Sequence, residues 1–240
     1  MIKIENVDVY GWESAVRGLR NPLNSWEKSD SGLCSDKLTE CENYVNCKLM
    51  GGFCVGNNDL KLMQSLVKAS TDHSKFMRMI NVTLDITAPL YFYKEWDTYK
   101  VGTVRNSCST MHKITAKEFT LGDFSREHLF NMDFQHYAIR DTSENELIEL
   151  QTSALDILRT VCQSLNRYRE LYLKTKDKRL WWQIIQLLPS SYNQRATVQL
   201  NYAVLRNMYH SRKNHKLDEW RDFCKWIETL PYAKELICYE

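Results

Sequence analysis

The chain has 240 residues, 43% hydrophobic and 26% charged, the balance of an ordinary globular protein. A formal net charge of only +2 gives no electrostatic case for a nucleic-acid or membrane partner. No apolar stretch approaches the roughly 20 residues that span a bilayer, and the opening Met1-Ile2-Lys3-Ile4-Glu5-Asn6 lacks the charged start and apolar run of a secretion signal, so a cytoplasmic protein is expected.

The first segment reads as a short strand followed by a helix over Trp12 to Arg20. The stretch from Asn21 to Gly56 is polar and weakly periodic, the pattern of an insertion or lid-like loop. It carries Cys34, Cys41, Cys47 and Cys54. Four thiols suggest a zinc knot, but spacings of seven, six and seven lack the tight Cys-x-x-Cys pair that grips a tetrahedral ion. Packing or surface thiols, with no metal and no disulfide, are the expectation. Asn58-Asp59 can cap a helix over Leu60 to Ala69, with Leu60, Met63, Leu66 and Val67 as its apolar stripe. From Met77 to Thr87 the period changes to two, with Ile80, Val82, Leu84 and Ile86 on one face of a half-buried strand. Pro89 then opens an aromatic helix, Leu90 to Trp96.

Residues 97–141 are polar at the density of site loops. Glu144 to Lys174 reads as one long helix, with Leu147, Leu150, Leu158, Val161, Leu165 and Tyr168 at helical spacing. A short helix follows over Trp181 to Leu187. Pro189 restarts the chain into a helix ending near His210, and Leu217 to Ile227 forms another. With no internal repeat or linker, residues 1–240 read as one α+β domain with a helical C-terminal half.

No glycine-rich phosphate fingerprint, Gly-x-Ser-x-Gly elbow or histidine pair at i, i+4 is present, so chemistry must come from a less stereotyped set. Three features stand out. On a helix, Asn201 and Arg212 are eleven apart and fall on nearly one face, as do Arg195 and Arg206. Such a face offers bidentate donors to flat rings and phosphates, and is equally what a solvated helix shows. The run Trp96 to His112 mixes hydroxyl, small and basic residues and can wrap a phosphate, or be a plain surface loop. The third is His73-Ser74-Lys75-Phe76-Met77-Arg78, between a helix and a strand.

Taken in order, these features resemble the flavin-dependent thymidylate synthases. That family has a Leu-Pro turn, an Arg, then Asn, Asn, Arg, His and Trp; here these are Leu188, Pro189, Arg195, Asn201, Asn207, Arg212, His215 and Trp220. Ala15-Val16-Arg17 and Ser25-Trp26 look like its opening helix and flavin-phosphate serine, and Ala88-Pro89 with Trp96 like its aromatic helix. The resemblance implies catalytic roles for Arg212 and His73. It implies flavin contacts from Ser25, Lys75, Arg78, Tyr99, Lys100, Asn201, Asn207 and His215, and nucleotide contacts from Glu95, Asn106, Ser109, Arg195 and Arg212.

The family's Arg-His-Arg-x-x-Ser-x-Asn-Glu-x-Ser-x-Arg-Tyr signature is altered. Thr98-Tyr99-Lys100 stand where Arg-His-Arg should. Asn106 and Ser109 are kept only with one inserted residue, Ser107 replaces the Glu, and Met111 and His112 replace Arg-Tyr. Each lost charge-assisted bond costs roughly 1.5–3 kcal/mol. Lys100, Arg105 or Arg78 can supply point charges in compensation, with less direction.

The implied fold is a central twisted sheet flanked by helices, assembled as a homotetramer with shared active sites. The implied reaction passes a methylene group from methylenetetrahydrofolate to C5 of deoxyuridylate and reduces it, using FAD and NADPH. One alternative is a divergent relative that acts on another nucleotide or transfers another one-carbon group. Another is a non-catalytic helical nucleic-acid-binding protein, suggested by the bases and aromatics of Lys174 to Trp182.

Overall fold

The structure, a computed structural model, describes residues 2–33, 52–131, 139–140, 147–148 and 152–239. Its elements run β1 (Lys3–Tyr10), α1 (Trp12–Arg20), β2 (Gly32–Leu33), β3 (Phe53–Cys54), α2 (Asn57–Ala69), β4 (Asn81–Pro89), α3 (Leu90–Trp96) and β5 (Val104–Ser107). They continue with β6 (Ile139–Arg140), β7 (Leu147–Ile148), α4 (Ala154–Thr175), α5 (Lys178–Leu187), β8 (Asn193–Asn201), α6 (Tyr202–Arg212), α7 (Asp218–Ile227) and α8 (Ala233–Leu236). The chain forms two compact units. The larger comprises Ile2–Ile86, Glu95–Asn106 and Ala196–Glu240; the smaller is built mainly of Thr87–Lys94 and Ser107–Arg195.

The larger unit is organised on a four-stranded sheet in the order β1-β4-β8-β5. Period-two patterning makes its core. Val82, Leu84 and Ile86 of β4 and Val198 and Leu200 of β8 are buried, with polar residues between them. Each Val, Leu or Ile so buried contributes about 1.5–3 kcal/mol. The intervening residues form a polar ladder across the strands. Asp85 accepts from Asn6 Nδ2 at 2.8 Å and from Thr197 Oγ1 at 2.5 Å, and Gln199 donates to the Tyr10 hydroxyl at 2.9 Å. Helix α1 buries Trp12, Ala15, Val16 and Leu19, and α6 buries Tyr202, Leu205 and Met208. The Trp12 and Tyr202 rings meet edge to face at 5.3 Å.

A buried ion pair ties α1 to α2. Arg20 Nε donates to Asp59 Oδ1 at 2.7 Å, and the other carboxylate oxygen accepts from the Ser29 and Ser31 hydroxyls, both at 2.6 Å. Asp30 in turn accepts from the backbone N–H of Asn58 and Asp59 at the start of α2.

The smaller unit packs α4 against α5 over a core of Ile114, Phe119, Phe124, Leu158, Cys162, Leu165 and Ile184. Asn166 of α4 clamps the Phe119 backbone from both sides, accepting its N–H at 2.7 Å and donating to its carbonyl at 2.8 Å. β6 and β7 pair antiparallel, with Ile139 opposite Ile148.

Several sequence expectations are corrected. The helix expected from Pro189 to His210 is a strand followed by a helix. Residues 193–201 alternate buried and exposed positions, and Asn201 then ends the strand by capping α6. The C-terminal half is therefore not wholly helical. The long helix begins at Ala154 rather than Glu144, because the Ser153 hydroxyl accepts the Asp156 N–H as a cap, and Leu147 lies in β7. Asn58 and Asp59 do not cap α2; Gly56 precedes it, and Asp59 is drawn inside by Arg20. The strand expected from Met77 starts at Asn81, after a 3₁₀ turn over Lys75–Arg78. Of the clustered cysteines, Cys54 sits half-buried in β3, and Cys34, Cys41 and Cys47 lie outside the described residues. Among the described residues no helix is long and apolar enough to cross a membrane.

Candidate active site

The larger unit gathers three of the expected site residues, Glu95, Tyr99 and His215, around a fourth, Arg212. Helix α3 ends at Trp96, and the chain turns back through hydrogen bonds from Tyr99 N–H to the Trp96 carbonyl at 2.9 Å and from the Thr98 hydroxyl to the Glu95 carbonyl at 2.7 Å. Gly102 completes the turn at φ +81°, a left-handed conformation that favours glycine. A Cβ there would sit 3.1 Å from both Asn201 Nδ2 and Val204 Cγ2, so the turn lies close over the start of α6. At its N-terminus α6 is capped by the Asn201 side chain, which accepts from Val204 N–H at 3.1 Å. Arg212 is the last residue of α6, where its charge complements the helix dipole.

Arg212 is held on three sides. Nη1 pairs with Glu95 Oε2 at 2.8 Å, and Nε donates to the Tyr99 hydroxyl at 2.9 Å. The buried Trp220 ring lies 5.1 Å from Cζ, within cation–π range. Two of the five N–H donors are thereby used, which leaves three, two of them on Nη2, without a bond among the described residues. The side chain as a whole is 17% exposed. Burial works against the charge, but the bond to Tyr99 and the Glu95 carboxylate outweigh it and hold the Arg212 pKa above its ordinary value. His215 joins the group: its N–H donates to the Arg212 carbonyl at 2.9 Å, and its ring lies 6.4 Å from Trp220. Trp96 stacks on the same indole at 6.1 Å.

The remaining expected residues are distributed as follows. His73, Lys75 and Arg78 are exposed in the larger unit. Lys75 and Arg78 stand on the 3₁₀ turn that packs against both α1 and α6. Lys100 is exposed on the turn after α3. None of the Lys75, Arg78 and Lys100 side chains has an ion pair or hydrogen bond among the described residues. Arg105, offered above as a compensating charge, is instead paired with both Asp97 oxygens at 2.9 and 3.0 Å. Asn106 is exposed on β5, and Asn207 is exposed on α6, accepting from Ser211 at 3.3 Å. Ser25 is buried, with its hydroxyl 3.4 Å from Arg20 Nη1.

Arg195 and Ser109 belong to the smaller unit. The Arg195 carbonyl accepts from Cys108 N–H at 2.8 Å while its side chain is exposed, and the Ser109 hydroxyl accepts from His112 N–H at 3.0 Å. The single-face helical placement of Asn201 with Arg212, and of Arg195 with Arg206, does not hold, because only Arg206 and Arg212 lie on α6. Arg206 turns to the C-terminal segment, donating to the carbonyls of Leu236, Ile237 and Tyr239. The basic-aromatic run Lys174 to Trp182 is a helix junction in which Asp177 engages Arg179, and Trp181 donates to the Met111 carbonyl at 3.3 Å. Trp220, which closes the motif of the resemblance but was given no role there, is a contact of the site.

Comparison with solved structures shows where this fold occurs. A flavin-dependent thymidylate synthase, ThyX from Helicobacter pylori, complexed with FAD and dUMP, matches at TM-score 0.61 and 16% identity, covering 98% of this chain and 97% of that one. A second ThyX structure from the same organism with FAD and dUMP matches at 0.60 and 15%, covering 99% and 97%. The UMP/dUMP methylase PolB from Streptomyces cacaoi, bound with 5-Br dUMP, matches at 0.53 and 13%, covering 98% and 91%. No protein-family model and no curated protein matches the sequence. The chain has the flavin-dependent thymidylate synthase fold.

Proposed function

We propose that the chain is a flavin-dependent methyltransferase acting at C5 of a pyrimidine deoxynucleotide, converting dUMP to dTMP with methylenetetrahydrofolate as donor and NADPH as reductant. The observation that carries this reading is the Arg212 group, a guanidinium fixed by Glu95, Tyr99 and Trp220 with its Nη2 donors unbonded among the described residues, in a fold shared along nearly its whole length with enzymes bound to FAD and dUMP.

The donor set suits FAD. A dinucleotide needs cations for its phosphates, and Lys75, Arg78 and Lys100 are exposed without carboxylate partners among the described residues. A flat ring needs amide and imidazole edges, which Asn207 and His215 supply. Bound FAD would contribute the reducing electrons that turn a transferred methylene into a methyl group. Arg212 would stabilise negative charge on the pyrimidine carbonyl as the bond to C5 forms, the usual work of a preorganised donor. Arg195, Asn106 and Ser109 would hold the nucleotide, and His73 and Ser25 the roles given above. The same reading assigns a homotetramer with shared sites and a cytoplasmic location.

The test is the visible absorbance of the purified protein, followed by proton release from C5 of deoxyuridylate. Flavin bands and turnover that Arg212→Ala abolishes without unfolding the protein are expected. A colourless protein that takes up no FAD overturns the reading. A second reading, a relative acting on another pyrimidine nucleotide, is favoured by the Thr98-Tyr99-Lys100 replacement of the signature and by the likeness to a UMP/dUMP methylase. Flavin oxidation with a panel of pyrimidine nucleotides separates the two, and preference for deoxyuridylate dismisses it.

A further inference from the structure

We infer that Glu95 is a specificity-determining residue, a charge filter that makes the Arg212 locus select an uncharged carbonyl acceptor over a phosphate. The inference rests on the proposed function for the identity of the ligand, but its chemistry is local. An arginine that grips phosphate offers its full charge and both edges of its fork. Here one edge is already taken, with Nη1 2.8 Å from the Glu95 carboxylate, so the locus carries no net charge. A phosphate on the free Nη2 edge would lie within a few ångströms of that carboxylate and be repelled by it. A base carbonyl, a dipole without net charge, would not.

The pattern repeats two residues on. Asp97 takes Arg105 with both carboxylate oxygens, so the end of α3 neutralises two guanidiniums in one segment. Lys75 and Arg78 on the 3₁₀ turn, and Lys100 within this same segment, are exposed cations with no side-chain partner among the described residues, and such cations suit phosphate. Glu95 is 41% exposed, so its replacement does not empty a core position.

The test is calorimetric titration of the full-length protein with inorganic phosphate. Glu95→Gln and Glu95→Ala are expected to bind phosphate at least about fivefold tighter than the unaltered protein. Glu95→Asp, which keeps the charge, should show no gain, and Glu95→Gln combined with Arg212→Gln should lose it. If neither neutral variant gains phosphate affinity, or if the gain survives loss of Arg212, the filter is overturned. These measurements need no flavin and no turnover. A protein that takes up no FAD therefore removes the proposed reaction while leaving the phosphate comparison decisive.

Discussion

The Trp220 indole and the Arg212 guanidinium meet at 5.1 Å, and the same ring touches Trp96, Tyr99, His215 and Phe223. One fully buried side chain therefore supports both the local core and a face of the Arg212 guanidinium. Trp220→Ala is expected to cost about 3–5 kcal/mol, the range for emptying a large aromatic site. Trp220→Phe should keep most of the stability. Urea midpoints for the two variants check this.

The Arg20–Asp59 pair predicts acid sensitivity. Burial alone raises the Asp59 pKa, but the bonds from Ser29, Ser31 and Arg20 together outweigh it and hold the carboxyl below its ordinary 3.8. A carboxyl with a depressed folded pKa contributes stability that is complete above its unfolded value and is lost as pH falls through the folded one. Melting temperature should therefore drop below about pH 4 more steeply in the native protein than in Asp59→Asn. At neutral pH that variant should be destabilised by roughly 3–5 kcal/mol, because a buried guanidinium is left unpaired. Parallel melting-temperature profiles that track each other below pH 4 would refute the assignment.

Gly102 is needed for its backbone and for its missing Cβ. Gly102→Ala imposes a side chain at φ +81° and presses on Asn201 and Val204 at 3.1 Å, so a loss exceeding about 1 kcal/mol is expected. Asn201→Ala removes the α6 cap and should cost about 0.5–2 kcal/mol. The two residues are in contact, so a double-mutant cycle should show the losses to be non-additive.

Arg206 anchors the end of the chain. Its Nη1 reaches the carbonyls of Leu236, Ile237 and Tyr239 at 3.3, 3.0 and 2.5 Å, and His210 Nε2 also lies 3.0 Å from the Ile237 carbonyl. Arg206→Ala should speed amide exchange over residues 233–239 while β4 and β8 stay protected, as mass spectrometry of exchanged peptides will show.

Periodicity located much of this fold. The bounds of α1 and α3 are those read from the sequence, and the alternating core of β4 was legible because its one buried face demands it. Reading failed at residues 193–201, where an alternation of only nine residues was absorbed into the helix that follows. It failed again at Asp59, where a good capping residue serves a partner 39 positions away.

For the candidate site, the sequence by itself marked Glu95, Tyr99, Arg212 and His215 through an ordered resemblance, and it marked the loss of the Arg-His-Arg signature. It could not say which cations are spoken for. That was decided by tertiary structure, which sets Glu95 against Arg212 and Asp97 against Arg105 while Lys75, Arg78 and Lys100 stay exposed. The reason is physical. A residue's type fixes the charge it can carry, but the strength of that charge toward a ligand depends on opposite charges a few ångströms away, and the Glu95–Arg212 separation of 117 positions becomes a contact only when the chain folds.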